Sequence, residues 1–171
     1  FLTGRRRDRR LADVTLALAA EMLQSAAIAG SNQEGLLRAN EALDSGRAAE
    51  VFGRMVSALG GPPDFVERST KYLPDAPLIV PAPAPKSGYV GSIATRDVGL
   101  AVVALGGGRT RPEDKVDHAV GLSDLLPVGA EVVKGQPLAM VHARSREAAD
   151  KAIAEVLAGY RITETRPAGQ K

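Results

Sequence analysis

The chain has 171 residues, of which 44% are hydrophobic and 25% charged, and it carries a formal net charge of +2 with no Cys or Trp. That balance suits a soluble globular protein with one medium domain or two small ones. The near-neutral charge gives no electrostatic reason for nucleic acid or an acidic membrane as partner, and no apolar run approaches the ~20 residues that cross a bilayer. The absence of Cys excludes disulfides, a thiolate nucleophile and a Cys-ligated metal, and it fits a reducing, cytoplasmic compartment.

The opening Phe1-Leu2-Thr3-Gly4, with no Met, reads as an interior stretch of a longer polypeptide. From Leu11, apolar residues recur at three- and four-residue steps (Leu11, Val14, Leu18, Met22, Ala26), with Leu16 and Leu23 widening the stripe, which predicts an amphipathic helix facing a core. Ser31 with Glu34 is a capping box for a second helix that stops near Gly46. A third helix carries Val51, Phe52, Met55 and Leu59 and stops at Gly60-Gly61. Asp64 and Glu67 repeat the capping pattern for a short helix to Tyr72.

Composition then changes. Residues 73–88 hold five of the eleven prolines, so this stretch is extended, a linker with an edge strand at Leu78 to Val80. "GYVGSIAT" alternates as a strand, "TRDVGLAVVALGGG" reads as a helix stopped by glycines, and "DHAVGL" and "EVVKGQPLAMVHA" read as β segments. A last helix capped by Ser145 and a closing strand "YRITET" complete an α+β unit. The expected division is a helical part over 1–72, a proline-rich linker over 73–85 and a carboxyl-terminal subdomain over 86–171.

No complete catalytic constellation stands out. Arg5, Arg6, Arg7, Arg9 and Arg10 could hold phosphate, but interrupted by Asp8 before an amphipathic helix they read as a solvated helix start. Gly106, Gly107 and Gly108 could offer amides to an anion, yet the Lys-Ser/Thr of a P-loop is missing and the dinucleotide fingerprint does not continue. A helix stop and turn is the favoured reading. Asp114 and Asp117, with His118, could ligate a metal or act as acid and base; His142 lies on a strand of its own and no metal motif is present. No metal and no cofactor are expected. "VGAEVVKGQPLAMVHA" has the turn pattern of a biotinyl or lipoyl carrier, but Lys134 sits inside the turn and Met140 six residues on, so a carrier, binding module or non-catalytic scaffold is the secondary reading.

"RLADVTLALAAEML", "MVSALGGPPDFVE" and above all "GYVGSIATRDVGLAVVALGGGRTRPEDKVDHAVGLSDLLPVGAEVVKGQPLAMVHA" resemble the carboxyl-terminal half of the pyrimidine nucleoside phosphorylases, over nearly the whole chain. The resemblance implies a helical portion of a mixed α/β lobe followed by an α+β subdomain with a small barrel-sandwich-like sheet. It further implies a pentosyltransferase of pyrimidine metabolism and nucleoside salvage. The partners would be a pyrimidine nucleoside and inorganic phosphate as co-substrate, and the assembly a homodimer formed through an α lobe upstream of these residues. The family's phosphate loop and its Arg, Ser and Lys base-binding set also lie upstream, so no catalytic and no phosphate-binding residue is expected in this chain, which by itself should be inactive. Gly106, Gly107, Gly108, Arg109, Arg111 and Asp114 form the one candidate functional feature, a lid loop over 106–115 at the mouth of the family's cleft.

Overall fold

In a computed structural model, which describes residues 1–168, the chain folds as two compact units, Phe1–Tyr72 and the residues from Leu73 onward. Residues 169–171, the end of the span assigned to the carboxyl-terminal subdomain, lie outside the described residues.

The first unit contains four helices, α1 (Arg9–Ser25), α2 (Asn32–Asp44), α3 (Arg47–Ala58) and α4 (Phe65–Tyr72). The starts of α1 and α2 have a local chemical cause. Asp8 accepts from the Leu11 amide at 2.9 Å, and Ser31 accepts from the Glu34 amide at 3.2 Å. These side chains satisfy amides that have no partner inside the first helical turn. The capping box at Ser31 closes differently from the usual pattern: the Glu34 carboxylate takes the Gly30 amide at 2.8 Å. Gly46, at φ +83, joins α2 to α3 in a left-handed conformation.

One expectation fails in this unit. The α1 stripe predicted to face a core is largely in solvent: Leu18 is 61% and Met22 71% exposed, and Leu11 and Val14 are about half exposed. The better covered side of the helix carries Leu16 and Leu23 together with Ala12, Ala19 and Ala20. A Cβ on Gly35 would stand 2.7 Å from the Ala20 carbonyl oxygen, so α1 and α2 approach until backbone meets backbone at Ala20, which is fully buried. Periodicity identified the helix and part of its covered side: Leu16 and Leu23, at the margin of the stripe, lie on this better covered face of α1.

The second unit holds β1 (Leu78–Pro83), β2 (Gly88–Ile93), α5 (Thr95–Val102), a π-helical turn (Val103–Gly107), β3 (Gly121–Ser123), β4 (Glu131–Val132), β5 (Pro137–Ala143), α6 (Arg146–Gly159) and β6 (Tyr160–Thr163). The strands form two antiparallel three-stranded sheets, in the orders β1-β5-β3 and β4-β2-β6. The chain is thus α+β. Its core is continuous around Val90, Val132, Leu138, Val141 and Val156, all essentially inaccessible, with Ala149 and Ala152 of α6 packed among them.

The proline-rich segment supplies part of this unit. β1 is an edge strand, and it extends past Val80 to Pro83. Pro81 and Pro83 face solvent while Ala82 and Ala84 are buried. Pro lacks the amide needed for a second neighbour, so an edge is where it fits. The "PAPAP" alternation is therefore the period-2 pattern of a half-buried strand written with small apolar residues. α6 begins as expected at Ser145, whose hydroxyl accepts from the Ala148 amide at 3.2 Å.

Candidate functional site

The candidate loop leaves α5 through the π-helical turn. Gly106 adopts φ +97, the left-handed region that ends the helical path. The two glycines after it are required by packing: a Cβ on Gly107 would lie 2.9 Å from Val102 Cγ1, and one on Gly108 2.7 Å from Val103 Cγ2. The triple glycine is thus a helix stop folded tightly back on the preceding valines.

Beyond it, the carboxylates turn inward. Asp114 Oδ2 accepts from the Thr110 hydroxyl at 2.6 Å, the Thr110 amide at 3.0 Å and the Arg111 amide at 2.9 Å. The Thr110 hydroxyl first, and then the two amides, hold the Asp114 carboxyl below its ordinary range. Asp117 accepts from Arg144 Nε at 2.7 Å, from Arg144 Nη2 at 2.8 Å and from the Ala119 amide at 3.1 Å. Its carboxyl is lowered from 3.8 to about 2, chiefly by the Arg144 hydrogen bonds, with the Ala119 amide next. Both Asp side chains are occupied by intrachain donors. No group of three or more His, Asp or Glu able to hold a metal occurs among the described residues.

Arg109, Arg111 and Lys115 are exposed on the same loop. The basic stretch at the start of α1 is largely exposed as well. Within it, Arg7 reaches Asp44 Oδ1, the Leu43 carbonyl at 3.3 Å and the Phe1 carbonyl at 3.4 Å. Arg9 stands 4.0 Å from Asp13.

His142 and Ser123 are brought together across β5 and β3, with Nε2 2.9 Å from Oγ, and Asp124 Oδ2 lies 3.2 Å from the same hydroxyl. Ser123 Oγ thus lies between the His142 imidazole and the Asp124 carboxylate, and the imidazole tautomer sets the direction of the His142 bond. Lys134 lies in the turn between β4 and β5, its amide bonded to Ser87 Oγ at 2.9 Å. Met140 is on β5.

A cleft of about 1050 Å³ in the helical unit is lined mainly by apolar side chains such as Leu16, Leu23, Val51 and Phe52. Two of the charged residues beside it are already paired, Arg38 with Glu34 and Arg47 with Glu41. It lacks the converging polar groups that orient a small substrate. Arg144 and Thr110 were missed in the sequence. Thr110 carries no local signal, because Asp114 reaches back three and four residues to the Arg111 and Thr110 amides; for Arg144 only the tertiary pairing shows it.

Residues 89–163 match the family model described as the pyrimidine nucleoside phosphorylase C-terminal domain. The whole chain is 60% identical to the thymidine phosphorylase of Mesorhizobium japonicum, over 171 residues covering 100% of this chain and 39% of that protein. It is 50% identical to the thymidine phosphorylase of Agrobacterium fabrum over 167 residues, 98% of this chain and 38% of that protein. The figure is 48% for that of Sinorhizobium medicae over 168 residues, again 98% and 38%. The chain therefore belongs to the pyrimidine nucleoside phosphorylase family. Within it, the chain corresponds to a carboxyl-terminal region of the thymidine phosphorylase type, and it spans about two fifths of the length of the curated relatives it matches.

Proposed function

We propose that the chain is the supporting carboxyl-terminal region of a thymidine phosphorylase, a cytoplasmic homodimeric pentosyltransferase. In that reaction the glycosidic C–N bond of thymidine breaks, a phosphate oxygen bonds to the anomeric carbon, and the leaving thymine takes a proton. The products are thymine and 2-deoxyribose 1-phosphate. The observation that carries this reading is the 60% identity to a thymidine phosphorylase across the full length of the chain.

The groups that bind phosphate and base are assigned to polypeptide outside these residues. Phosphorolysis needs cationic and hydroxyl donors converging on the dianion and on the leaving base. Here the acidic pair in the loop is spent on internal donors, and the large cleft of the helical unit is apolar. The exposed α1 stripe supports placing residues 1–72 within a larger α/β lobe, whose remainder covers Leu11, Val14, Leu18 and Met22. The loop over 106–115 serves as a lid component that excludes water from the reacting sugar, presenting Arg109 and Arg111 on a compact support. Phosphorolysis of thymidine by the full-length gene product, assayed beside the 171-residue chain, tests the proposal. Activity is expected only in the full-length protein; thymidine cleavage by the short chain, or none by the long one, refutes it.

A further inference from the structure

The loop between the π-helical turn and β3 is closed at its base. The Asp117 amide donates to the Gly106 carbonyl at 2.8 Å, so residues 107–116 leave and return at one point, as in an Ω-loop. Two separate knots organise it. The outer one is Asp114 with Thr110 and Arg111; the inner one is the Asp117 carboxylate, held at once by the Ala119 amide and by two nitrogens of Arg144.

Arg144 is well placed to hold a direction. It follows directly on β5 and precedes Ser145, the cap of α6, so its backbone is held on both sides. A guanidinium fork on one carboxylate fixes orientation as well as distance. Its side chain is 52% exposed, and exposed ion pairs add little to stability. Orientation of the loop is thus the main effect available to this contact.

We infer that Arg144 is a positioning residue: by gripping Asp117 it fixes the base of loop 107–116 at the end of β5 and so holds the loop in one orientation. The inference rests on the reading of this loop as a lid. A loop freed at its base samples more orientations, and a smaller competent fraction weakens apparent substrate affinity in proportion.

The test uses the full-length protein with Arg144→Ala, Arg144→Lys and Asp117→Asn, measuring amide hydrogen exchange and steady-state phosphorolysis of thymidine. Arg144→Ala should speed exchange in residues 107–116 about tenfold or more, leave β5 and α6 unchanged, and raise KM by a similar factor with little change in kcat. Arg144→Lys, which keeps the charge but not the fork, should recover part of both effects. Unchanged loop exchange in Arg144→Ala overturns the positioning role. Faster loop exchange with an unchanged KM upholds the clasp and overturns the lid reading. If Arg144→Ala loosens β5 and α6 as well, Asp117→Asn decides: exchange quickened in the loop alone supports the clasp, and unchanged exchange refutes it.

Discussion

Asp114 and Asp117 each accept three hydrogen bonds, but only Asp117 accepts from a guanidinium, and its titration should show it. Its carboxyl is lowered from 3.8 to about 2, mainly by Arg144. A depressed folded-state value means that the contribution of Asp117 is fully present above pH ~4 and disappears as pH falls through about 2. Carboxyl carbon NMR should find Asp117 ionised at pH 3, where ordinary aspartates are mostly protonated, and Arg144→Ala should move its midpoint up toward 3.8. A midpoint unmoved by that substitution would assign the shift to the Ala119 amide instead. Gly106, Asp114 and Asp117 are conspicuous in the sequence because glycine and closely spaced carboxylates are local signals. Arg144 is not, since it stands 27 positions from its partner and the pairing depends on where β5 ends relative to the loop.

At the level of elements, the helix starts at Asp8, Ser31 and Ser145 follow from side chains that reach amides three residues on. That chemistry is local and can be read before folding. Helix contacts are different. The α1–α2 contact is made at Ala20 and Gly35, and its closeness gives an unusual mutational sign. Ala is a better helix former than Gly by about 1 kcal/mol, yet a Cβ at Gly35 would meet the Ala20 carbonyl oxygen at 2.7 Å and its Cα at 2.9 Å. Backbone atoms cannot rotate aside, so overpacking wins, and Gly35→Ala should destabilise the helical unit by about 1–3 kcal/mol in urea denaturation. A stabilised variant would mean that the helices separate easily at this point. The edge strand β1 shows the converse case, a proline-rich stretch that still follows period-2 burial because prolines at an outer edge forfeit no partner.

For the molecule as a whole, the two units differ in how well they cover their apolar residues. The second has a continuous buried core shared by two sheets and α6. The first leaves Leu18, Met22, Leu37 and Leu59 more than half exposed. Leu18→Ala should therefore change the stability of the 171-residue chain by less than about 0.5 kcal/mol, as for a surface site. In the full-length protein, where the proposed lobe covers it, the same change should cost about 2–5 kcal/mol. Denaturation of both lengths checks this, and equal effects would argue against a larger lobe over this stripe.

Motif order in the string of residues was enough to assign the family and the α+β class, together with the caps at Ser31 and Ser145, because each depends on neighbours a few positions apart, whereas Asp64, read as a third cap, accepts from the Tyr72 hydroxyl instead. Which side of α1 is covered, how the glycines of the 106–108 turn pack on Val102 and Val103, and which cation grips Asp117 could come only from packing. Those contacts join residues from different elements, and backbone proximity, which no local pattern encodes, chooses the partner.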